Sequence, residues 1–356
     1  MEDTQDVYEN LRAHLDRLPA GFPRTPTGLE LRILKRLFTP EEAALAQLMI
    51  FKPETALQVA ERTGRDAREL APRLEALSRK GLIFRMRKGD KTCYMASQFV
   101  VGMWEYHVND LDPELSKDVD EYFPYLLKGF FRPGTPQVRV IPTASALSPE
   151  ETLMPYEDAL RIIDQQEKIV VGPCICRLQQ QMMGKGCDKL VETCLVFGLG
   201  ADYFEENGLG RVIDHDEARE ILVKAEKSGL VLSPSNAQNV TNICICCGCC
   251  CQILKNLKMM PKPTDCILSN YYAVVEPDVC VGCEICVERC QMDAIHIEDG
   301  RAMIDLDSCI GCGLCITTCD AQAIRLQAKE QKERQEPPIR LSDMHLRVAQ
   351  ERTKQT

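Results

Sequence analysis

The sequence predicts an α+β fold in three main parts, each with its own residue pattern. The N-terminal part, 1–105, contains three short helix patterns and then two extended runs, which predicts helices followed by a β-hairpin. The middle, 171–270, is predicted to be a cysteine-rich α/β region, because a capped helix pattern lies between its two groups of cysteines. The C-terminal part, 271–328, repeats itself after 29 residues, which indicates two copies of one structural unit.

Three helix starts organise the N-terminal part. Thr39 is followed by a proline and, three residues on, by a glutamate, and Thr55 and Asp66 occupy the same capping position before their own apolar patterns. Extended runs at 82–88 and 91–96 are joined at a Gly-Asp pair, which predicts a tight turn. Over about sixty residues this order resembles the winged helix-turn-helix of transcription regulators.

The predicted hairpin and the helix before it are strongly basic. Residues 61–91 contain ten lysines and arginines against five acidic residues, in a chain whose net charge is −10. One interpretation is contact with nucleic-acid phosphates; the others are a solvated face or a docking patch for an acidic redox protein. The overall negative charge makes nucleic acid the less favoured partner.

The connector predicted for 106–170 is mixed in character. Its run at 123–131 is apolar enough to pack against a partner or a second subunit, which would make the chain a homo-oligomer. Several prolines divide the rest into short pieces, and a helix is predicted at 156–166.

The first cysteine group of the middle region predicts a metal site. Cys174, Cys176, Cys187 and Cys194 supply four thiolates, and Cys187 and Cys194 would share one face if 188–197 is helical. Four thiolates form a complete tetrahedral set, so we expect an iron–sulfur cluster here, with zinc as the alternative.

The second cysteine group is denser than packing requires. It is formed by Cys244, Cys246, Cys247, Cys249, Cys250 and Cys251, with Cys266 fifteen residues further on. Either some of these complete one more cluster, or the two groups share ligands across space. One or two clusters are therefore expected in 171–270, and an unusual catalytic cluster at 244–251 would make the protein an oxidoreductase.

Two almost identical cysteine strings fill the C-terminal repeat. Both read C-x2-C-x2-C-x3-C, the spacing of cubane iron–sulfur sites in which the fourth cysteine of each string binds the other cluster. The spacing predicts two 4Fe-4S clusters, one bound by Cys280, Cys283, Cys286 and Cys319 and the other by Cys309, Cys312, Cys315 and Cys290. Between the strings, Asp299-Gly300 predicts a hairpin turn.

Residues 271–328 resemble the bacterial dicluster ferredoxin module, with Gln291 and Asp320 where a proline usually follows the fourth cysteine. The whole chain resembles multi-cluster 4Fe-4S ferredoxin-like proteins of anaerobes, which implies electron relay within a larger redox complex. The tail, 329–356, contains an apolar stripe that would be a docking site or a frayed end. That stripe consists of Leu341, Met344, His345 and Val348.

Composition narrows the functional classes. The chain has 356 residues and 20 cysteines, and such a cysteine content in a reducing compartment indicates metal or redox chemistry rather than disulfides. It lacks both an apolar run of membrane-spanning length and a signal-peptide pattern at its start, so we expect a cytoplasmic protein. The leading prediction is an iron–sulfur electron-transfer protein, more an electron-transfer subunit than a stand-alone enzyme. A redox-sensing DNA-binding regulator and an oxidoreductase are the alternatives.

Overall fold

The computed structural model describes residues 2–147 and 153–354, so 148–152 of the predicted connector lie outside the described residues. The N-terminal part contains five helices and a three-stranded antiparallel sheet of order β1-β3-β2. In chain order these elements are α1 (Glu2–Asp16), α2 (Leu29–Leu37), α3 (Pro40–Ala46), β1 (Glu54–Thr55), α4 (Ala56–Thr63), α5 (Ala67–Arg79), β2 (Ile83–Lys88) and β3 (Lys91–Ala96).

The predicted helix starts are confirmed by their caps. Thr39 and Thr55 each accept a hydrogen bond from the amide three residues on, and the side-chain oxygens of Glu42 and Gln58 accept one from the cap amides. Asp66 caps α5 through the Arg68 amide, and Pro72 lies inside that helix. The helices and the hairpin thus occur in the predicted order, while the winged helix-turn-helix assignment stays a prediction.

The connector contributes a long helix to the core. After the irregular turn Phe99–Met103 come α6 (Trp104–Tyr106) and the 18-residue α7 (Pro113–Phe130). Phe123 and Leu127 are at most 2% exposed, and Phe130 and Phe131 are buried beside them. The apolar run at 123–131 therefore packs mainly inside the chain, which removes the sequence argument for a second subunit at this run.

The middle region is a five-stranded antiparallel sheet of order β6-β4-β5-β8-β7. Its elements are α8 (Ala159–Asp164), β4 (Ile169–Pro173), α9 (Ile175–Met182), β5 (Glu192–Phe197), α10 (Gly198–Glu206), β6 (Arg211–Ile213), α11 (His215–Lys227), β7 (Val231–Pro234), β8 (Asn242–Cys246) and α12 (Gln252–Leu257). The sheet is held between helices, and it presents the ends of β4, β5 and β8 to the cysteine-rich loops.

The prediction of a helix at 188–197 is wrong. Residues Glu192–Phe197 form strand β5, hydrogen-bonded on one side to β4 and on the other to β8. The segment is rich in the aromatic and β-branched side chains that favour a buried strand. Cys187 and Cys194 consequently do not share a helix face.

The C-terminal repeat folds as two antiparallel strand pairs, one a hairpin and the other formed by the first and last strands. Its elements are β9 (Tyr271–Val275), α13 (Ile285–Arg289), β10 (Ile295–Glu298), β11 (Arg301–Ile304) and β12 (Ile324–Ala328). β10 pairs with β11, and β12 pairs with β9. The 29-residue shift relates β9 to β11 and β10 to β12, so the two strand pairs are equivalent in the repeat. Asp299 and Gly300 both have positive φ, as the predicted tight turn requires.

The last helix, α14 (Leu341–Thr353), is docked on the N-terminal part. Met344 and Val348 are buried, and the His345 ring packs edge-on against Phe51. The predicted stripe therefore packs largely within the chain itself. In the described residues, no helix combines the length and apolar character needed to cross a membrane.

Candidate metal centres

The first predicted cysteine set of the repeat surrounds one cavity. Cys280, Cys283, Cys286 and Cys319 line it together with apolar side chains such as Ile324. Cys286 is buried, whereas Cys283 is exposed. This set, which we call the outer set, thus reaches the protein surface.

The second set lies deeper and is called the inner set. Its four thiols, Cys290, Cys309, Cys312 and Cys315, are close enough to perturb one another electrostatically. The backbone amide of Thr143 donates to the carbonyl oxygen of Cys312, which places the connector over this set. The structure therefore brings together the same two groups of four cysteines that the spacing predicts.

Backbone amides donate to sulfur in a pattern that follows the repeat. The amides of Ala302 and Ala273 donate to Cys280 and Cys309 over 3.3 and 3.5 Å. The amides of Ala294 and Ala323 each donate over 3.3 Å to the cysteine four residues earlier, the fourth of its string. Hydrogen bonds of this kind favour the thiolate form that binds metal and tune the potential of a bound cluster.

Burial has the opposite effect on the free thiols of these sets. It raises the pKa of Cys286 and Cys290, and it raises the pKa of Cys312 to about 12. Without metal these thiols are therefore protonated at neutral pH, and each must release a proton when iron binds.

In the middle region, four sulfurs converge more tightly. The sulfurs of Cys187, Cys247, Cys249 and Cys250 all lie within 4.8 Å of one another, and we call this group the quartet. Cys187 is 3.9 Å from Cys247 and 3.6 Å from Cys250, and Cys249 is 3.8 Å from Cys250. Four thiolates about 2.3 Å from one zinc ion are separated by roughly 3.8 Å, so the quartet has the size of a mononuclear tetrahedral site.

Six other cysteines line a second cavity, which Cys247 of the quartet also borders, and we call these six the ring. Strands β5 and β8 place Cys194 opposite Cys244, and Cys246 ends β8. The thiol of Cys246 contacts those of Cys244 and Cys251. The members of the ring are Cys174, Cys176, Cys194, Cys244, Cys246 and Cys251.

The ring closes through the first cysteine group. Cys176 contacts both Cys174 and Cys251, and Cys174 in turn lies near Cys194. Contact with the thiols of Cys176 and Cys246 lowers the pKa of Cys251 to about 5. Of the two interpretations left open by the sequence, the structure favours shared ligands, because both the quartet and the ring combine cysteines from the two groups.

Two charged residues that the sequence analysis gave no role line the ring cavity. Arg177 is fully buried and donates to the carbonyl oxygens of Leu190 and Ile245, but its Nε has no hydrogen-bond partner among the described residues. Although burial alone would lower its pKa, the neighbouring thiol of Cys174 holds it above the ordinary value. Burial raises the pKa of Glu105 to about 7. Its carboxylate accepts a hydrogen bond from the Gly102 amide.

The remaining predicted ligand, Cys266, belongs to neither arrangement. It is absent from the quartet and from the residues that line the ring cavity, and it lies in the turn after Pro263–Asp265. The turn lies next to the second cysteine string, since the Thr264 amide donates to the carbonyl oxygen of Asp307, two residues before Cys309.

The quartet adjoins the inner set through backbone. Gly248, which lies within the dense cysteine run, donates its amide to the side-chain oxygen of Gln291 over 2.8 Å. A Cβ on Gly248 would lie 2.1 Å from the carbonyl oxygen of Gln291. Gln291 directly follows Cys290, so the departure from the usual proline provides the hydrogen-bond acceptor for this contact.

Comparison with known families and proteins identifies one part of the chain. Residues 279–324 match the family model of the 4Fe-4S dicluster domain. No curated protein matches the chain. No solved structure matches it either. The matched residues are therefore similar to an iron–sulfur, ferredoxin-like module, a similarity that supports iron–sulfur electron transfer as a general activity.

Proposed function

We propose that this protein relays single electrons through two 4Fe-4S clusters of its C-terminal module, as a subunit or partner of a larger anaerobic redox complex. One observation carries the proposal: the outer and inner sets each gather four cysteines from both strings of the repeat, with amide-to-sulfur hydrogen bonds related by the same 29-residue shift. Bound clusters would supply reversible one-electron chemistry, while the protein supplies thiolates, amides and burial.

The different exposure of the two sets indicates where a redox partner can approach. Cys283 of the outer set is exposed, and Val279, Val281 and Ile285 beside it are 44%, 72% and 42% exposed. We assign this apolar surface to the docking of a redox protein, because electron transfer requires the two centres to approach closely. The inner set, covered by the connector, would pass the electron toward the middle region.

The quartet supports a third metal site next to this path. Three of its sulfur separations are 3.6–3.9 Å and all lie within 4.8 Å, which fits a single tetrahedral ion better than a cubane, whose thiolates must surround four irons. Zinc is the ion that most often takes four thiolates. We therefore propose zinc for the quartet, where it would fix the cysteine run against Gln291.

Internal ion pairs in the basic segment weaken the case for the DNA-binding alternative. Five of its ten cations form ion pairs with carboxylates of the same chain, among them Arg85 and Arg87 with Glu206. The two pairs with Glu206 attach the hairpin to α10, so the segment serves in part as an internal docking surface. A winged-helix domain that contacts protein rather than DNA is consistent with this use.

Metal analysis of the full-length protein, purified without oxygen, tests the proposal. We expect at least about eight irons per chain with matching sulfide, and a one-electron EPR signal after reduction with dithionite. Cys283→Ala should affect one cluster and Cys312→Ala the other. Cys93→Ala, on strand β3, is the matched control and should change neither. Fewer than about six irons, or no reducible signal, would contradict the relay.

A further inference from the structure

The cavity enclosed by the ring has the features of a buried cofactor site. Its volume is about 70 Å³, several times the roughly 15 Å³ that a single water needs. Apart from the six ring thiols and that of Cys247, it is lined largely by apolar side chains such as Val100, Phe123 and Leu254. A space of this size bordered by sulfur is expected to be occupied by atoms that bind sulfur.

The spacing of the six sulfurs excludes a mononuclear site. Among the described residues, only the quartet brings three or more ligand atoms within 4.8 Å of one another, so no three ring sulfurs are that close. They meet pairwise instead, around the edge of the cavity. A single tetrahedral ion needs four sulfurs about 3.8 Å apart, whereas a wide ring fits a centre with several metal ions and bridging atoms.

The number of thiols also differs from that of a cubane. A 4Fe-4S cluster takes four cysteines, as in the outer and inner sets. The ring offers six, and they come from three separate stretches of the chain: the start of α9, strand β5, and the stretch from β8 to the start of α12. A fold that brings six thiols from three segments to one cavity provides more ligands than one cubane uses.

Arg177 provides a second, independent indication of an anionic occupant. It lines the cavity and is fully buried, and among the described residues its Nε has no hydrogen-bond partner, while its other nitrogens donate to neutral oxygens of Leu190, Thr193 and Ile245. Cysteines lie on both sides of it, Cys174 in the ring and Cys247 in the quartet. A buried, unpaired guanidinium is strongly destabilising unless negative charge lies close to it, and metal-bound thiolates supply that charge.

We propose that the ring binds one polynuclear iron–sulfur centre, held by at least five of its six thiolates, with Arg177 as the buried counter-charge. Thiolates select iron–sulfur clusters, zinc and copper(I). Iron and sulfide fit the ring best, because bridging sulfides fill the space between well-separated thiolates. The inference concerns metal binding alone and does not require electron transfer by the C-terminal module.

The first experiment counts iron in a protein whose ring is intact. In full-length Cys187→Ala/Cys249→Ala, prepared without oxygen, the quartet is disabled while the ring and both C-terminal sets remain. We expect clearly more than eight irons per chain and a Mössbauer component distinct from the cubane clusters. Eight irons or fewer, with the cubane signals present, would overturn the proposal. Zinc or copper in place of that iron, or ring thiols that are already disulfides, would overturn it equally.

The second experiment measures how many thiolates take part. Each ring cysteine is replaced by alanine in turn, because serine can still bind metal through oxygen. At least five of the six variants should lose or shift the distinct component while keeping the cubane signals, which report a folded C-terminal module. If two or more variants keep it unchanged, the ring binds an ordinary four-thiolate centre and the proposal fails. Cys266→Ala is the matched control and should leave every component unchanged.

Arg177 is tested by its effect on the centre's potential. Arg177→Met removes the positive charge but keeps much of the side-chain volume, and Arg177→Lys keeps the charge. If the guanidinium is the counter-charge, the methionine variant lowers the reduction potential of the distinct component, because reduction adds negative charge, and the lysine variant restores part of it. An unchanged potential in both variants would show that Arg177 has only a structural role.

Discussion

At the scale of single residues, the C-terminal module depends on two glycines as much as on its cysteines. Gly282 and Gly311 occupy the same position in the two strings, and their φ values are 65° and 64°. A Cβ at either position would lie 2.2 Å from a backbone carbonyl oxygen, that of Gly300 or of Tyr271. Only glycine allows the cysteine loop to approach the neighbouring hairpin this closely.

We expect Gly282→Ala to impair the outer cluster and Gly311→Ala the inner one, because each Cβ would force the cysteine loop away from the strand it contacts. The loss should be about four irons per chain in each variant, measured by iron analysis and by EPR of the reduced protein.

Gly300→Ala is the control for these variants. Its φ is also positive, but no atom lies within 4 Å of the added Cβ, so it should cost only about 1 kcal/mol and retain both clusters. Equal iron content in all three variants would contradict the importance of the close approach.

At the scale of elements, the basic hairpin is joined to the middle region by an ion pair between a buried arginine and a half-buried glutamate. Arg85 on β2 is 1% exposed, and its guanidinium donates to Glu206 at the end of α10 over 2.6 Å and to Ser78 over 2.9 Å. It also lies over the ring of Tyr203, 5.7 Å from the centroid. Because Arg85 is buried, loss of its counter-charge destabilises the folded state more than loss of a partner does for a surface charge.

Replacing Glu206 by alanine should lower the free energy of unfolding by about 2–3 kcal/mol, since it leaves the buried Arg85 with only Glu75, 3.2 Å away, as counter-charge. Chemical denaturation measures the change. Glu192→Ala is the control, because its partner Arg211 is about half-exposed and such pairs contribute at most about 1 kcal/mol. Equal effects of the two substitutions would contradict a special role for the pair of Arg85 with Glu206.

The C-terminal helix α14 should respond to acid through His345. Burial lowers the pKa of this imidazole to about 4 in the folded protein, against 6.5 for the free group. The unfolded state therefore binds more protons between these values, and stability is lost as pH falls from 6.5 toward 4, by at most about 3 kcal/mol.

Hydrogen exchange of the α14 amides, corrected for intrinsic rates, tests this dependence. The free energy of opening should fall across that pH range in the natural protein. In His345→Met, which cannot be protonated, we expect it to stay nearly constant. A parallel decline in both proteins would assign the acid sensitivity to other groups.

At the scale of the whole molecule, the core is unevenly distributed. One large apolar core includes side chains from α1, α7 and the inner half of the C-terminal module, as represented by Leu11, Val119 and Leu314. The C-terminal module itself has a core of only six buried residues, of which two are cysteines. A unit with so small a core depends on bound metal for its stability.

Removal of iron by oxidation and chelation should therefore unfold the C-terminal strand pairs before it affects the helices. We expect amides of β10 and β11 to lose protection from hydrogen exchange, while amides of α2 and α7 keep it. Hydrogen exchange followed by mass spectrometry compares the two states of the same protein. If α7 lost protection first, or if β10 and β11 lost no protection, the dependence on metal would be contradicted.

Local signals predicted much of this architecture. The caps at Thr39 and Thr55, the turns at Gly89-Asp90 and Asp299-Gly300 and the repeated cysteine strings depend on neighbours a few residues apart. The helix considered for 188–197 was wrong, because strands β4 and β8, distant in sequence, pair with that segment. The domain boundaries, the roles of the cysteines and the partners stay predictions.

The amino-acid sequence by itself predicted two four-cysteine sets in the C-terminal third, since spacing within a short loop decides which three thiols converge and the repeat indicates that each string supplies the fourth to the other. It did not determine how the cysteines of the middle region are divided. Only the tertiary structure, through the antiparallel sheet that sets Cys194 against Cys244, separated a tight quartet from a wide ring and placed Arg177 between them. The physical reason is that contacts across a sheet depend on strand pairing over long sequence distances, which no local pattern encodes.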